Sequence, residues 1–267
     1  MRPPVLRNGR NVAPSVSIFD PMVARGDGCF EALRSYGGAL FGLAEHLARL
    51  ARSASALGIP LPPVPYIGEW ARQVAAEQGN GVIRIFVSLG QEGTNVYVLS
   101  APLPDIIPEY RLFPLAAPWH PAGEPWDLAG VKTLSYAPNV AATRTSQAAG
   151  YDDALLLSRD GTVLEGPTSA VLWVVRGVIE TASLDLGILD SVTRRIALRH
   201  AGEAGLAIRE GHYPLERILG ADEIAILSSV KEVLPVVSVG EHRFEPGPVT
   251  ALLARAYRTA VEDLIQA

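Results

Sequence analysis

Apolar residues recur along this chain with two periods, one helical and one extended. Within residues 43–57, Leu43, Leu47, Leu50, Ala54 and Leu57 return every three or four positions, which predicts an amphipathic helix. Gly58 supplies its C-terminal stop. Residues 29–36 and 39–41 flank Gly37-Gly38 and predict a hairpin, and strand-like segments meet at the hairpin dipeptide Asn8-Gly9. A proline-rich stretch, 60–65, leads into a predicted helix over 67–78. Asn80-Gly81 then turns into a strand over 82–89, with a partner over 95–99. Residues 117–127, rich in Pro, Ala, Gly and Trp, read as an inter-domain linker. Beyond them the pattern predicts a helix over 140–149 and strands over 153–157, 162–166 and 170–175, with Arg159-Asp160-Gly161 as a turn. A helix over 191–204, strands over 223–227 and 233–237, and a closing helix over 248–265 follow. The expected organisation is a small domain, 1–116, the linker, and a larger domain, 128–267. Strands dominate both halves with helices outside them, an α+β class rather than strict βαβ repetition. Internal repeats and low-complexity tracts are absent.

Composition narrows the function. With 48% hydrophobic and 19% charged residues in 267, disorder is excluded. A formal net charge of -5 argues against a nucleic-acid or anionic-membrane surface. No apolar stretch approaches the roughly 20 residues that span a bilayer, and the first nine residues lack the apolar core of a secretory signal. Cys29 is the only cysteine, which rules out an internal disulfide and fits a reducing cytoplasm. One cysteine and five scattered histidines give no metal-ligand spacing, so no metal is expected. Only two of the 23 basic residues, Lys132 and Lys231, are lysines. Genomic base composition can produce such a bias. A lysine kept where arginine is otherwise used can also do what a guanidinium cannot, namely act as a neutral amine nucleophile.

Five segments carry candidate chemistry, and each has an ordinary reading beside the functional one. Asp27-Gly28-Cys29-Phe30-Glu31 followed by Glu45-His46-Leu47-Ala48-Arg49-Leu50 is either an edge strand and surface helix with an ion pair, or a site where Arg49 clamps a phosphate in bidentate fashion. In Gly130-Val131-Lys132-Thr133-Leu134-Ser135-Tyr136, Lys132 is either a surface lysine at a strand end or a partly buried, activated amine. Tyr136 either packs or hydrogen-bonds a cofactor oxygen. Glu165 ends the apolar run 161–166. It is either an exposed carboxylate or the group that keeps a pyridine nitrogen protonated. Ser191-Val192-Thr193 opens a helix, where free N–H groups and the helix dipole make either a plain cap or an anion site. Ser228 and Ser229 end a buried strand and suit phosphate oxygens, a substrate carboxylate or an ordinary turn.

The order and spacing of these segments resemble the class IV aminotransferases, a family that includes branched-chain and D-amino acid aminotransferases, R-selective amine transaminases and 4-amino-4-deoxychorismate lyases. The resemblance runs from about Gly26 to the last helix. It implies a two-domain fold-type IV enzyme with pyridoxal 5′-phosphate (PLP) in the inter-domain cleft, and a homodimer. It makes Lys132 the Schiff-base lysine, Glu165 the partner of the pyridine nitrogen, and Leu189 the residue packed on the cofactor ring. Arg49, Val192, Thr193 and Ser229 become phosphate contacts, and Tyr136 the partner of the phenolic oxygen. Two departures stand out: Ser191 replaces the usual glycine of the phosphate cup, and Ala170-Val171 replaces an Asn-led segment.

The resemblance also implies an amino acid or amine donor and a 2-oxo acid acceptor. Arg84 lies six residues before Gly90, a spacing shared with branched-chain enzymes, and either binds a substrate carboxylate or is a surface residue. Phe30, with Phe86 and Trp126, is a candidate pocket wall, and Ser228 and Val230 flank Ser229 on the substrate side. Against the branched-chain reading, Gly28-Cys29-Phe30, the compact length and Leu128-Ala129-Gly130-Val131-Lys132 look lyase-like. Tyr136 and Arg84 favour the branched-chain type.

Overall fold

A computed structural model describes residues 5–266. The chain divides into two compact units. One comprises Met1–Asp105, Val131–Tyr136 and Val261–Ala267, and the other Ile106–Gly130 and Ala137–Ala260.

The first unit begins with β1 (Val5–Arg7) and β2 (Arg10–Asn11), joined by the expected turn at Asn8-Gly9, and a short helix α1 (Pro21–Arg25). Next come β3 (Cys29–Tyr36), β4 (Ala39–Leu40), the helices α2 (Leu43–Ala56) and α3 (Val64–Gln78), β5 (Gly81–Gly90) and β6 (Gly93–Ala101). The strands form one antiparallel sheet in the order β2-β1-β6-β5-β3-β4. Gly58, at φ +67°, stops α2 as the sequence predicts. Helix α3 starts three residues earlier than expected, because Pro65 fits the first helical turn, where no intrahelical N–H is needed.

Alternation along β3 separates the two faces of this sheet. Cys29, Glu31, Leu33 and Ser35 are buried, and their odd-even neighbours are half-buried. Cys29 and Leu33 join Ile83, Ile85, Val87, Val96 and Val98 beneath Leu47, Leu50 and Ala54 of α2 and Ile67, Ala71 and Val74 of α3. The strand registers then assign Phe30, Phe86 and Tyr97 to one row of the opposite face, and Ala32, Arg84 and Leu99 to the next.

The second unit contains β7 (Tyr110–Ala116), α4 (Ala137–Ala148), β8 (Asp153–Leu157), β9 (Ala170–Val175), β10 (Val178–Ala182), α5 (Val192–Glu203), β11 (Ala207–Gly211), α6 (Leu215–Leu219), β12 (Glu223–Ser228), β13 (Glu232–Val239), β14 (His242–Arg243) and the greater part of α7 (Pro248–Gln266), whose residues from Val261 onward belong to the first unit. Its mixed sheet runs β11-β10-β9-β12-β13-β7-β8, with β14 beside β13. Trp173, Leu155, Ile224, Ile226 and Val236 are central to one core cluster, and Ala154, Leu156, Leu164 and Ile188 to another.

Several expectations need correction. The strand expected over 162–166 does not form. Val163 donates to Tyr213 while Leu164 donates to Leu156, so successive residues bond different partners and no continuous ladder develops. The division expected at a 117–127 linker falls instead at Asp105, and 117–127 belongs to the second unit. Composition marks irregular backbone there, but contacts decide which core a loop joins. Strands β7, β10 and β11 were not foreseen. β10 follows a tight turn at Arg176-Gly177, both at positive φ, and β11 is an exposed edge strand with weak alternation.

Candidate active site

In the first unit, Val131–Tyr136 lies along the part of β3 that β4 leaves unpaired. Leu134 N–H donates to the Gly28 carbonyl (2.8 Å), Phe30 N–H to the Lys132 carbonyl (3.0 Å), and Lys132 N–H to Ser53 Oγ on α2 (3.2 Å). These bonds fix the Lys132 backbone. Its Nζ sits 4.3 Å from the Phe30 ring centroid and 5.5 Å from that of Tyr136, and the two rings meet edge to face at 5.3 Å. An amine held against aromatic faces is partly desolvated yet favourably placed when charged. Phe30 thus touches Lys132, and Phe86 lies 6.2 Å from Phe30. Arg84 is exposed on the same sheet face, one row along, beside Ala32 and Leu99.

Gly28 permits this pairing. A Cβ there would lie 2.3 Å from the Val87 carbonyl oxygen and 2.7 Å from Leu134 Cδ1. The Val87 backbone belongs to the sheet and cannot yield cheaply, so Gly28→Ala is expected to displace the Lys132 segment. We expect a loss of about 1–3 kcal/mol in stability, typical of overpacking, with weaker cofactor retention. Thermal unfolding and absorbance after desalting check both.

Behind β3 lies a buried charged cluster. Glu31, wholly buried, accepts bonds from Arg49 Nε (2.8 Å) and Nη2 (2.7 Å), and from His46 Nδ1 (2.7 Å). Burial alone raises the Glu31 pKa, but the bonds and charges of Arg49 and His46 outweigh it and hold the carboxyl at about 2. Burial depresses His46 below its usual range against the pull of Glu31, with the charges of Arg49 and Lys132 adding to the effect. Burial and the nearby Glu31 charge push the Cys29 thiol up to about 12, so it is not a nucleophile here. Arg49, expected to clamp phosphate, therefore gives its bidentate fork to Glu31.

In the second unit, the backbone N–H of Leu189 reaches both carboxylate oxygens of Glu165, at 3.3 and 3.2 Å. His120 Nε2 lies 3.7 Å from Glu165 Oε1. Helix α5 starts at Val192 with Ser191 as its N-cap, and Ser191 Oγ accepts from Arg194 N–H (3.3 Å). The serine that stands in place of a glycine is thus a working cap. Thr193 Oγ1 lies 3.5 Å from Ser229 Oγ, so the helix start and the β12–β13 turn meet at two hydroxyls. In that turn Lys231 N–H donates to Ser228 Oγ (3.0 Å), leaving Ser228 a structural duty, and Val230 is half-buried beside Ser229. Lys231 Nζ reaches Asp153 and Thr168, each at 3.4 Å, and lies over the Tyr110 ring. The second lysine is therefore a half-buried anchor for the turn.

The first unit thus gathers Lys132, Tyr136, Phe30 and Arg49 near β3. The second gathers Glu165 with Leu189, and Thr193 with Ser229. Sequence reasoning missed Glu31, His46 and His120 as site members. Glu31 carried a signal, being a carboxylate on the buried phase of a strand, whereas nothing in the sequence marks His120.

The sets match the chemical demands of PLP. A primary amine suits its aldehyde, a carboxylate its ring nitrogen, and paired hydroxyls at a helix start its phosphate. Among the described residues, no helix is long and apolar enough to cross a membrane.

Comparison with known proteins agrees. The chain is 30% identical over 241 residues to a putative branched-chain-amino-acid aminotransferase of Methanocaldococcus jannaschii, covering 84% of this chain and 82% of that one. It is 31% identical to a D-alanine aminotransferase of Bacillus licheniformis, covering 96% of each chain. It is 29% identical to an aminodeoxychorismate lyase of Bacillus subtilis, covering 94% and 91%. A solved fold IV transaminase from Curtobacterium pusillum superposes with a TM-score of 0.85 at 29% identity, covering 94% and 93%. The two-sheet α+β architecture is therefore that of the fold-type IV transaminases. With residues 28–239 matched by the profile of the amino-transferase class IV family, this chain belongs to the class IV aminotransferases, enzymes that work with pyridoxal 5′-phosphate.

Proposed function

We propose that this chain moves an amino group between a branched-chain amino acid and a 2-oxo acid by a ping-pong mechanism. Bound PLP supplies an electron-accepting ring that stabilises negative charge at the substrate carbon. Lys132 Nζ would hold the cofactor through its aldehyde carbon and, as a positioned free amine, would take up and return the proton of the substrate Cα. The Glu165 carboxylate holds a proton at the pyridine nitrogen, and Leu189 packs on the ring. Val192 and Thr193 with Ser229 bind phosphate through the helix start and its hydroxyls. Arg49 supplies a further contact to the phosphate. Tyr136, already in contact with Phe30, takes the phenolic oxygen. Phe30, Ser228 and Val230 line the substrate side. The enzyme is a homodimer of the cytoplasm.

The observation that carries the branched-chain reading is the sheet face that holds Phe30, Phe86 and Arg84 together. Two aromatic rings suit an apolar side chain, and one cation suits a carboxylate. A second reading, pyruvate elimination from 4-amino-4-deoxychorismate with the same Lys132, is supported by the likeness to the Bacillus subtilis lyase. D-amino acid or R-amine transfer within the same family is a third.

Half-reaction spectra of the PLP-loaded protein separate these readings. Bleaching of the visible band by L-leucine supports the proposal. A response confined to D-alanine or an R-amine overturns the subclass, and pyruvate release from aminodeoxychorismate alone establishes the lyase. Arg84→Ala is expected to raise KM for the acid substrate by about 10–100-fold, the loss of one charge-assisted contact, with kcat little changed. An unchanged KM would remove Arg84 from the substrate site.

A further inference from the structure

We propose that His120 is a positioning residue for Glu165. Held in a single tautomer by the Ala122 amide, it presents Nε2–H to one carboxylate oxygen and so fixes the direction in which the carboxylate faces. The inference rests on the reading of Glu165 as the partner of the cofactor's pyridine nitrogen.

The tautomer follows from a single bond. Ala122 N–H donates to His120 Nδ1 at 3.2 Å. Only an unprotonated ring nitrogen can accept, so in the neutral ring the proton resides on Nε2. That nitrogen faces Glu165 Oε1 at 3.7 Å, too long for a hydrogen bond but close enough for a directed electrostatic contact. Both side chains are largely shielded from water, with exposures of 9% and 14%, so screening is weak.

The backbone that carries His120 is built for this placement. Its N–H donates to the Ala117 carbonyl (2.9 Å), and Gly123 N–H to the Leu186 carbonyl (3.1 Å). Between them Ala122 sits at φ +51°, a left-handed conformation that an alanine adopts only where surrounding contacts impose it. The strained residue is the one whose amide sets the histidine tautomer.

Glu165 needs such a neighbour. The Leu189 amide, its one backbone donor among the described residues, is shared between both oxygens at 3.2–3.3 Å, which centres the carboxylate without distinguishing its two atoms. His120 beside Oε1 breaks that symmetry and leaves Oε2 to face the ring nitrogen. No motif in the sequence marks this histidine, which lies in the irregular stretch between β7 and Lys132.

Two measurements test the idea. Long-range 1H–15N spectra of the cofactor-free chain should show His120 protonated at Nε2, with its Nε2 resonance shifted by Glu165→Gln. An Nδ1-protonated ring, or a resonance indifferent to Glu165→Gln, overturns the proposal. In the PLP-loaded enzyme, His120→Leu should lower kcat on the order of 10-fold, as loss of an orienting partner does elsewhere, and should shift the visible band. His120→Gln, whose amide can accept from Ala122 and donate toward Glu165, should recover most of both. Equal losses in the two variants that follow their thermal unfolding would assign His120 a merely structural role. A wild-type chain that takes up no PLP would overturn the reading of Glu165, and the cofactor-free spectra would still decide whether the two side chains are coupled.

Discussion

Replacing Lys132 with alanine is expected to lower turnover by at least about 10⁴-fold and to abolish the visible band of lysine-bound cofactor. Two functions are lost together. Proton transfer by a positioned side chain alone contributes about 10²–10⁴-fold, and the covalent hold on the cofactor goes with it. Lys132→Arg should fare no better, because a guanidinium stays protonated and is not an amine nucleophile. The fold should survive both changes. The segment is held through its backbone, by the Lys132 carbonyl to Phe30 N–H and the Lys132 N–H to Ser53 Oγ, and these bonds do not involve the side chain. Spectra, turnover and thermal unfolding of the two variants check this. A Lys132→Ala protein that keeps both the band and turnover would defeat the central assignment.

The second large effect concerns stability. Glu31→Gln keeps the shape of the side chain but leaves Arg49, 6% exposed, as a buried cation without its anion. Breaking such a pair from one side costs about 3–5 kcal/mol, a drop of roughly 1–3 M in urea midpoint for ordinary m-values. The same cluster makes the wild-type fold acid-sensitive. His46 has a depressed pKa in the fold, so the unfolded chain binds the proton first, and stability begins to fall as pH drops below about 6.5. Glu31 goes from 4.5 in the unfolded chain to about 2 in the fold. Its contribution, about 3 kcal/mol, is complete above pH 4.5 and is lost between there and about pH 2. Urea unfolding across pH 7 to 3 should show both phases in the wild type and only the His46 phase in Glu31→Gln. A flat wild-type profile would contradict the assignment of these charges.

Much of the architecture was legible because periodicity reports burial directly. The β3–β4 hairpin, α2 with its stop at Gly58, the β5–β6 pair and the closing helix all follow from spacing and turn residues. The residues with distinctive chemistry were legible too. A rare lysine, a carboxylate ending an apolar run and a Ser-Val-Thr helix start stand out by residue type and position, and all three lie within residues 28–239, the span that the family profile matches. Segments whose structure depends on partners remote in sequence were not. β11 has little alternation of its own and pairs with β10 as an edge. The run 162–166 looks like a strand, yet its bonds divide between Leu156 and Tyr213.

The same division holds for the site. By itself the sequence determined which groups are present, because an amine, a carboxylate and a helix-start hydroxyl carry their chemistry wherever they are placed. Tertiary structure decided which neighbour each one meets. It gave Arg49 to a wholly buried Glu31, stood Lys132 against Phe30 and Tyr136, assigned Lys231 to Asp153, and brought His120 beside Glu165 from 45 positions away. Those pairings set desolvation and partner charge, which depend on distance through space rather than along the chain.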